Sequence, residues 1–124
     1  MSKITVLVVE PEKKPYIKEI DNTLESLQRE VGGDIQAVYP WEAPCGLVCC
    51  ETAKFEGMPL NRALRDENGE VYDIIAGTFL IVGLTENDFG SLSEEYIQQF
   101  SELFRSPEAF INYNGRFIIL QSDK

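Results

Sequence analysis

The pair Asn61-Arg62 follows Gly57-Met58-Pro59-Leu60, and Asp73 opens the apolar run Ile74-Ile75-Ala76 a little further on. An amide beside a planar guanidinium with five donors is suited to gripping an anion or an amide-bearing ligand. With Asp73, these residues form the least ordinary constellation in the chain, a candidate ligand-binding site. Trp41 and Tyr39 offer aromatic surface to line such a groove. The same three residues also have a structural reading. Residues 60–65 would form one helical turn capped by Asn61, and Arg62 would pair with Asp73.

Other chemistry finds little support. The chain has no histidine, which removes the commonest general base, the usual nucleophile–base pairs and most zinc sites. Cys45, Cys49 and Cys50 are clustered, but Cys-x-x-x-Cys is not a metal-knuckle spacing. Cys49 and Cys50 are neighbours on an expected strand, so their side chains point to opposite faces. Gly32-Gly33 follows a helix signal instead of opening one, as a phosphate-binding loop would require. The carboxylate pairs Glu94/Glu95 and Asp66/Glu67 fall on an exposed face and in a turn, where general acid work has no sheltered pocket. We expect a protein that is not an enzyme, with no catalytic residues, no metal and no cofactor.

The elements that position these residues follow from apolar periodicity. Ile4-Thr5-Val6-Leu7-Val8-Val9 is a β-branched strand stopped by Glu10-Pro11. Tyr16–Ile20, flanked by Pro15 and charges, reads as an edge strand. Asn22, with Glu25 three residues on, predicts a helix start; Leu24, Leu27 and Val31 share its apolar face and Gly32-Gly33 closes it. Asp34–Trp41 and Gly46–Cys50 read as a strand pair. Ile74–Leu84 reads as one central strand, with Gly77 marking a bulge or a close approach. Ser93 caps a second helix whose face is Tyr96, Ile97, Phe100, Leu103 and Phe104. Asn114-Gly115 between two apolar runs predicts a C-terminal hairpin. The order implies one α+β domain over residues 1–124, with a mainly antiparallel sheet and two helices.

Charge limits the partners. Twenty-one acids against eleven bases give a net −10, a surface that disfavours direct nucleic-acid binding. The excess lies in residues 34–83 and 84–108, whereas residues 109–124 return to net positive. Glu86, Asp88, Glu94, Glu95 and Glu102 form a candidate acidic face for a basic partner; at its sharpest this would be a DNA mimic occupying a basic cleft. No apolar run reaches the ~18 residues of a membrane span, and the odd, clustered cysteines point to a reducing cytoplasm.

The Ile4–Glu10 strand, Lys14-Pro15-Tyr16, Leu24-x-x-Leu27-Gln28-x-x-Val31-Gly32-Gly33, Pro59-Leu60-Asn61-Arg62 and Asp73-Ile74-Ile75-Ala76-Gly77-Thr78 together resemble the domain-of-unknown-function 3846 family over about residues 4–104. The resemblance implies a setting among small proteins of bacteria, phages and other mobile elements, and no mechanism. The leading expectation is an interaction protein, an accessory of a mobile element that binds a host or element-encoded protein. The alternatives are a small-ligand-binding domain built on Asn61, Arg62 and Asp73, and the acidic mimic. Elemental analysis of the purified protein is expected to find no stoichiometric zinc or iron. A stoichiometric metal would overturn the expectation that the cysteines bind none.

Overall fold

In the computed structural model, which describes residues 2–121, the elements run β1 (Lys3–Val9), β2 (Tyr16–Asp21), α1 (Leu24–Val31), β3 (Ile35–Val38), β4 (Cys45–Cys50), β5 (Leu60–Arg65), β6 (Val71–Ala76), β7 (Phe79–Leu84), β8 (Phe89–Gly90), α2 (Glu94–Leu103), β9 (Glu108–Tyr113) and β10 (Arg116–Gln121). The fold is α+β, a mainly antiparallel arrangement with two helices and a C-terminal hairpin, as the sequence implies. The main sheet has the order β2-β1-β7-β4-β3, with β8 added to β7. β5–β6 and β9–β10 are separate hairpins.

Strand alternation builds two cores from the main sheet. Leu7, Ile81 and Leu47 lie opposite one another across β1, β7 and β4, and Val8, Leu80 and Val48 form the next row. Successive residues face opposite sides. Val8, Leu80 and Val48 therefore join Leu27 and Val31 of α1 in one core. Leu7, Ile81 and Leu47 join Phe100 and Phe104 at α2 in the other. Burial on both faces explains why these strands read as continuous apolar runs. It also separates the cysteines: Cys50 belongs to the α1-side core, Cys45 and Cys49 to the α2-side core. All three are free thiols, and burial pushes the Cys45 and Cys49 thiols up.

Four local expectations are corrected. The run Ile74–Leu84 is two strands, because Gly77 adopts a φ of 75° and turns the chain between β6 and β7. Apolar continuity cannot distinguish one buried strand from two joined by a glycine. Residues 60–65 form a strand, not a helical turn; its middle four residues are buried, which hides the period-two pattern. Thr23, not Asn22, caps α1 by accepting from the Ser26 N–H at 3.1 Å. Asn22 instead donates to the Phe89 carbonyl at 3.1 Å. Leu103 is exposed, because α2 ends there and the apolar side chain that reaches the core is that of Phe104.

Gly83 is required sterically, since a Cβ there would lie 2.2 Å from the Ser91 carbonyl oxygen. The chain thus passes close over β7 on its way to the Ser93 cap of α2, where the Ser93 hydroxyl accepts from the Tyr96 N–H.

The β1–β2 connection carries a titrating pair. The Tyr16 hydroxyl donates to Glu10 Oε2. That bond holds the Glu10 carboxyl below its ordinary 4.5 and pushes the Tyr16 phenol from 10.0 up to about 12. A raised phenol stabilises the folded state fully below pH 10, and the contribution fades as pH rises through the folded value. A lowered carboxyl stabilises above 4.5 and is lost on acidification. Tyr16→Phe should therefore destabilise the protein between these limits, with the difference from wild type shrinking above pH 10. Ultraviolet titration should show that the variant lacks the late phenol ionisation, at about 12, that Tyr16 gives wild type.

The candidate functional site

β5 and β6 form a hairpin around the Asp66–Glu70 turn, where Asp66 Oδ1 accepts from the Asn68 and Glu70 N–H groups. The strand register is interrupted at Asn61: Leu60 lies opposite Ala76 and Arg62 opposite Ile75, leaving Asn61 as the extra residue. A bulge re-aims side chains. Here it lets two consecutive residues be buried, Asn61 at 0% and Arg62 at 1% exposure.

Both side chains are fully committed within the protein. Asn61 Nδ2 donates to the Val9 and Gly77 carbonyls, each at 2.8 Å. Its Oδ1 accepts from Arg62 Nη1 at 2.8 Å. Nη1 also donates to the Asn61 carbonyl at 3.3 Å. Arg62 Nη2 donates to the Lys13 carbonyl at 2.7 Å and to the Phe104 carbonyl at 2.9 Å, and Nε donates to the same Phe104 oxygen at 3.2 Å. A guanidinium has five N–H groups, and these five bonds use them all. Burial pulls the Arg62 guanidinium below its ordinary value, while the Glu108 charge pulls it back up. An arginine guanidinium in a protein stays protonated.

Asp73 is not part of this cluster. Its Oδ1 accepts from Lys54 Nζ at 3.1 Å and from the Ile74 N–H at 2.8 Å. The expected Arg62–Asp73 pair is replaced by carbonyl partners, and Asn61 bridges main-chain carbonyls instead of capping a helix. Beside Arg62, Trp41 packs on Phe100 with ring centroids 4.4 Å apart. The cavity that Arg62 and Trp41 share holds about 70 Å³, well short of the ~300 Å³ at which ligand pockets begin. Tyr39 is exposed and lies over Gly46.

The acidic candidates Glu86, Asp88, Glu94, Glu95 and Glu102 are all exposed. Asp88 is engaged in its own turn, its Oδ1 accepting from the Phe89 N–H. Glu102 pairs loosely with Arg105 at 3.9 Å. Among the described residues, no group of three or more Cys, Asp or Glu is placed to hold a metal, and no helix is long and apolar enough to cross a membrane.

One buried acid escaped the sequence reading. Glu108 accepts from the Ala63 N–H at 2.7 Å, from Arg65 Nη2 at 2.9 Å and from Gln121 Nε2 at 2.8 Å. It stands at the first position of β9 and joins the C-terminal hairpin to β5. Its only sequence signal is an acid opening an apolar strand, which solvated acids share.

The fold and cluster therefore define an α+β protein whose polar pair is an internal clasp. A family model described as a domain of unknown function (DUF3846) matches residues 4–105, and the chain belongs to that family. No curated protein and no solved structure matches. The matched span contains Asn61, Arg62, Asp73 and Phe104, whereas Glu108 and the β9–β10 hairpin lie beyond it.

Arg62→Ala would strand the carbonyls of Phe104 and Lys13 and open a cavity, at a cost of about 3–5 kcal/mol. Arg62→Lys should recover only part of this, because an ammonium cannot reproduce the planar fork. Chemical denaturation of both variants checks the order, and wild-type stability in Arg62→Ala would contradict the clasp.

Proposed function

We propose that the protein is a non-enzymatic interaction protein that binds another protein on the apolar face where β6 meets the C-terminal hairpin. It acts in the cytoplasm as an accessory of a mobile element, and its partner is a host or element-encoded protein. The observation that carries the reading is an open groove of about 500 Å³ bordered by Val71, Tyr72, Ile74, Leu60 and Phe117, with Lys54 and Asp73 also on it. Val71, Tyr72 and Phe117 are each at least two-fifths exposed. Clustered apolar side chains in water mark a surface that a partner covers. Burying the exposed part of each is worth about 1–3 kcal/mol.

The alternatives draw less support. A small ligand would find the donors of Asn61 and Arg62 already occupied, leaving Asp73 and its Lys54 partner as the polar contacts. For a DNA mimic, Asp88 and Glu102 are already engaged locally. The free buried thiols are compatible with a reducing compartment.

The test is partner capture from the native cell at low and high salt, comparing wild type with Val71→Ser/Tyr72→Ser and with Glu94→Lys/Glu95→Lys/Glu102→Lys. The proposal expects the groove variant to lose its partner by about tenfold or more, with the charge-reversed variant retaining it at both salt concentrations. Loss on charge reversal, together with loss at high salt, would favour the acidic mimic. Equal capture by all three proteins would remove the groove from the interaction.

A further inference from the structure

We propose that β10 is a self-association edge: two copies pair β10 with β10, antiparallel, and join the open faces of their C-terminal hairpins into one apolar strip. The joint uses the outer edge of β10; Phe117 of that strand also borders the β6 groove, and neither proposal depends on the other.

Register divides the hairpin into two faces. Glu108 lies opposite Gln121, Phe110 opposite Ile119 and Asn112 opposite Phe117. This set turns toward the body, since Glu108 holds Ala63 and Arg65 and Phe117 borders the groove. The other set pairs Ala109 with Leu120, Ile111 with Ile118 and Tyr113 with Arg116. Ile111, Ile118, Leu120 and Tyr113 are 47, 45, 52 and 64% exposed. Their adjacent register positions make a continuous strip.

The strand edges differ in protection. Natural sheets guard their outer strands with charges, prolines or short length, because unpaired main-chain groups otherwise recruit another strand. In the main sheet, β2 has Pro15 before it and Lys18, Glu19 and Asp21 along it. The opposite edge, β3, has four residues and is followed by Pro40. Among the described residues β10 pairs with β9 alone, and Phe117-Ile118-Ile119-Leu120 contains no charge, proline or glycine.

Charge selects a second copy as the occupant. Residues 109–121 contain Arg116 as their one charged side chain and form the longest described run without a carboxylate. With a net charge of −10, two copies repel each other; the strip itself adds no carboxylate to that repulsion, although Glu12 lies beside its Leu120 end. Pairing centred on Ile119 sets Phe117 of one copy opposite Gln121 of the other. The two Arg116 side chains then stand at opposite ends of the joint.

The area sets the strength. Edge pairing sets only the β10 side chains, Ile118 and Leu120 on the open face, beside the partner strand, while Ile111 and Tyr113 of β9 stay one strand away from the joint. One strand edge with its flanking side chains buries less than the ~1,600 Å² of a standard interface, so the dimer is weak and reversible.

Sedimentation velocity over a wide concentration series tests the proposal with the intact chain. Wild type should pass from monomer to dimer, and added salt should tighten the dimer by screening the repulsion. Ile118→Lys and Leu120→Lys each place a lysine on the open strip and should raise the dissociation constant by about tenfold or more. Val71→Ser/Tyr72→Ser should leave it unchanged, which separates this surface from the groove. A wild type that stays monomeric throughout, or a dimer indifferent to both lysines, would overturn the proposal while leaving partner capture at the groove untouched. Independently of any variant, β10 amides of wild type should exchange more slowly at high concentration; concentration-independent exchange would also overturn it.

Discussion

The guanidinium of Arg62 is a positive charge at 1% exposure whose five N–H groups all end on main-chain or amide oxygens. Taking such a group out of water costs several kcal/mol unless every donor is met. The acceptors come from parts of the chain far apart in sequence: the Phe104 carbonyl at the end of α2, the Lys13 carbonyl in the β1–β2 connection, and Asn61 itself. The Phe104 oxygen is well suited, since carbonyls at a helix C-terminus lack intrahelical partners and carry the negative end of the dipole. Displacing α2, the β1–β2 connection or β5 would leave donors or acceptors unmet in the interior. Apolar contact sets how much surface these elements bury; this cation sets where they stop.

Asn61 extends the constraint to the sheet by bridging the ends of β1 and β6 through the Val9 and Gly77 carbonyls. The Gly77 N–H in turn donates to the Pro59 carbonyl at 2.7 Å, fixing the turn that delivers the chain into β7. A residue pair that resembles a ligand grip is thus the joint between β5–β6 and the main sheet. The chemistry is the same in both roles: an amide and a planar fork seek oxygens. Whether those oxygens belong to a ligand or to the protein depends on the bulge at Asn61, which turns both side chains inward.

That dependence explains how much the sequence reveals. Both helices, the two-faced burial within the Ile74–Leu84 run, the opposed cysteines and the Asn114-Gly115 hairpin follow from periodicity and local turn chemistry, which act over a few residues. The split at Gly77 is less legible, because a continuous apolar run serves equally for one strand or two. The identity of β5 is hidden because its middle four residues are buried on both sides, and Asn61-Arg62 then reads as polar loop. The partners of Arg62 lie 49 and 42 residues away along the chain. Glu108 is hidden for the same reason, its three partners being supplied by β5 and β10.

Glu108 also explains why the C-terminal hairpin stays distinct from the body it touches. The Ala63 N–H, which a neighbouring strand's carbonyl would take in a continued ladder, is taken by the Glu108 carboxylate at 2.7 Å. β9 therefore lies against β5 without joining its sheet. The other carboxylate oxygen collects Arg65 and Gln121, one group from β5 and one from β10, so a single buried acid clamps both sides of the joint. Removing a charge with three such bonds would strand an arginine and a main-chain donor together, a loss larger than any one apolar contact at this junction. The family-matched residues close their core through Arg62 and Phe104 before the hairpin begins. The hairpin is then held at its base by Glu108 and Gln121, while its outer apolar strip is left in solvent.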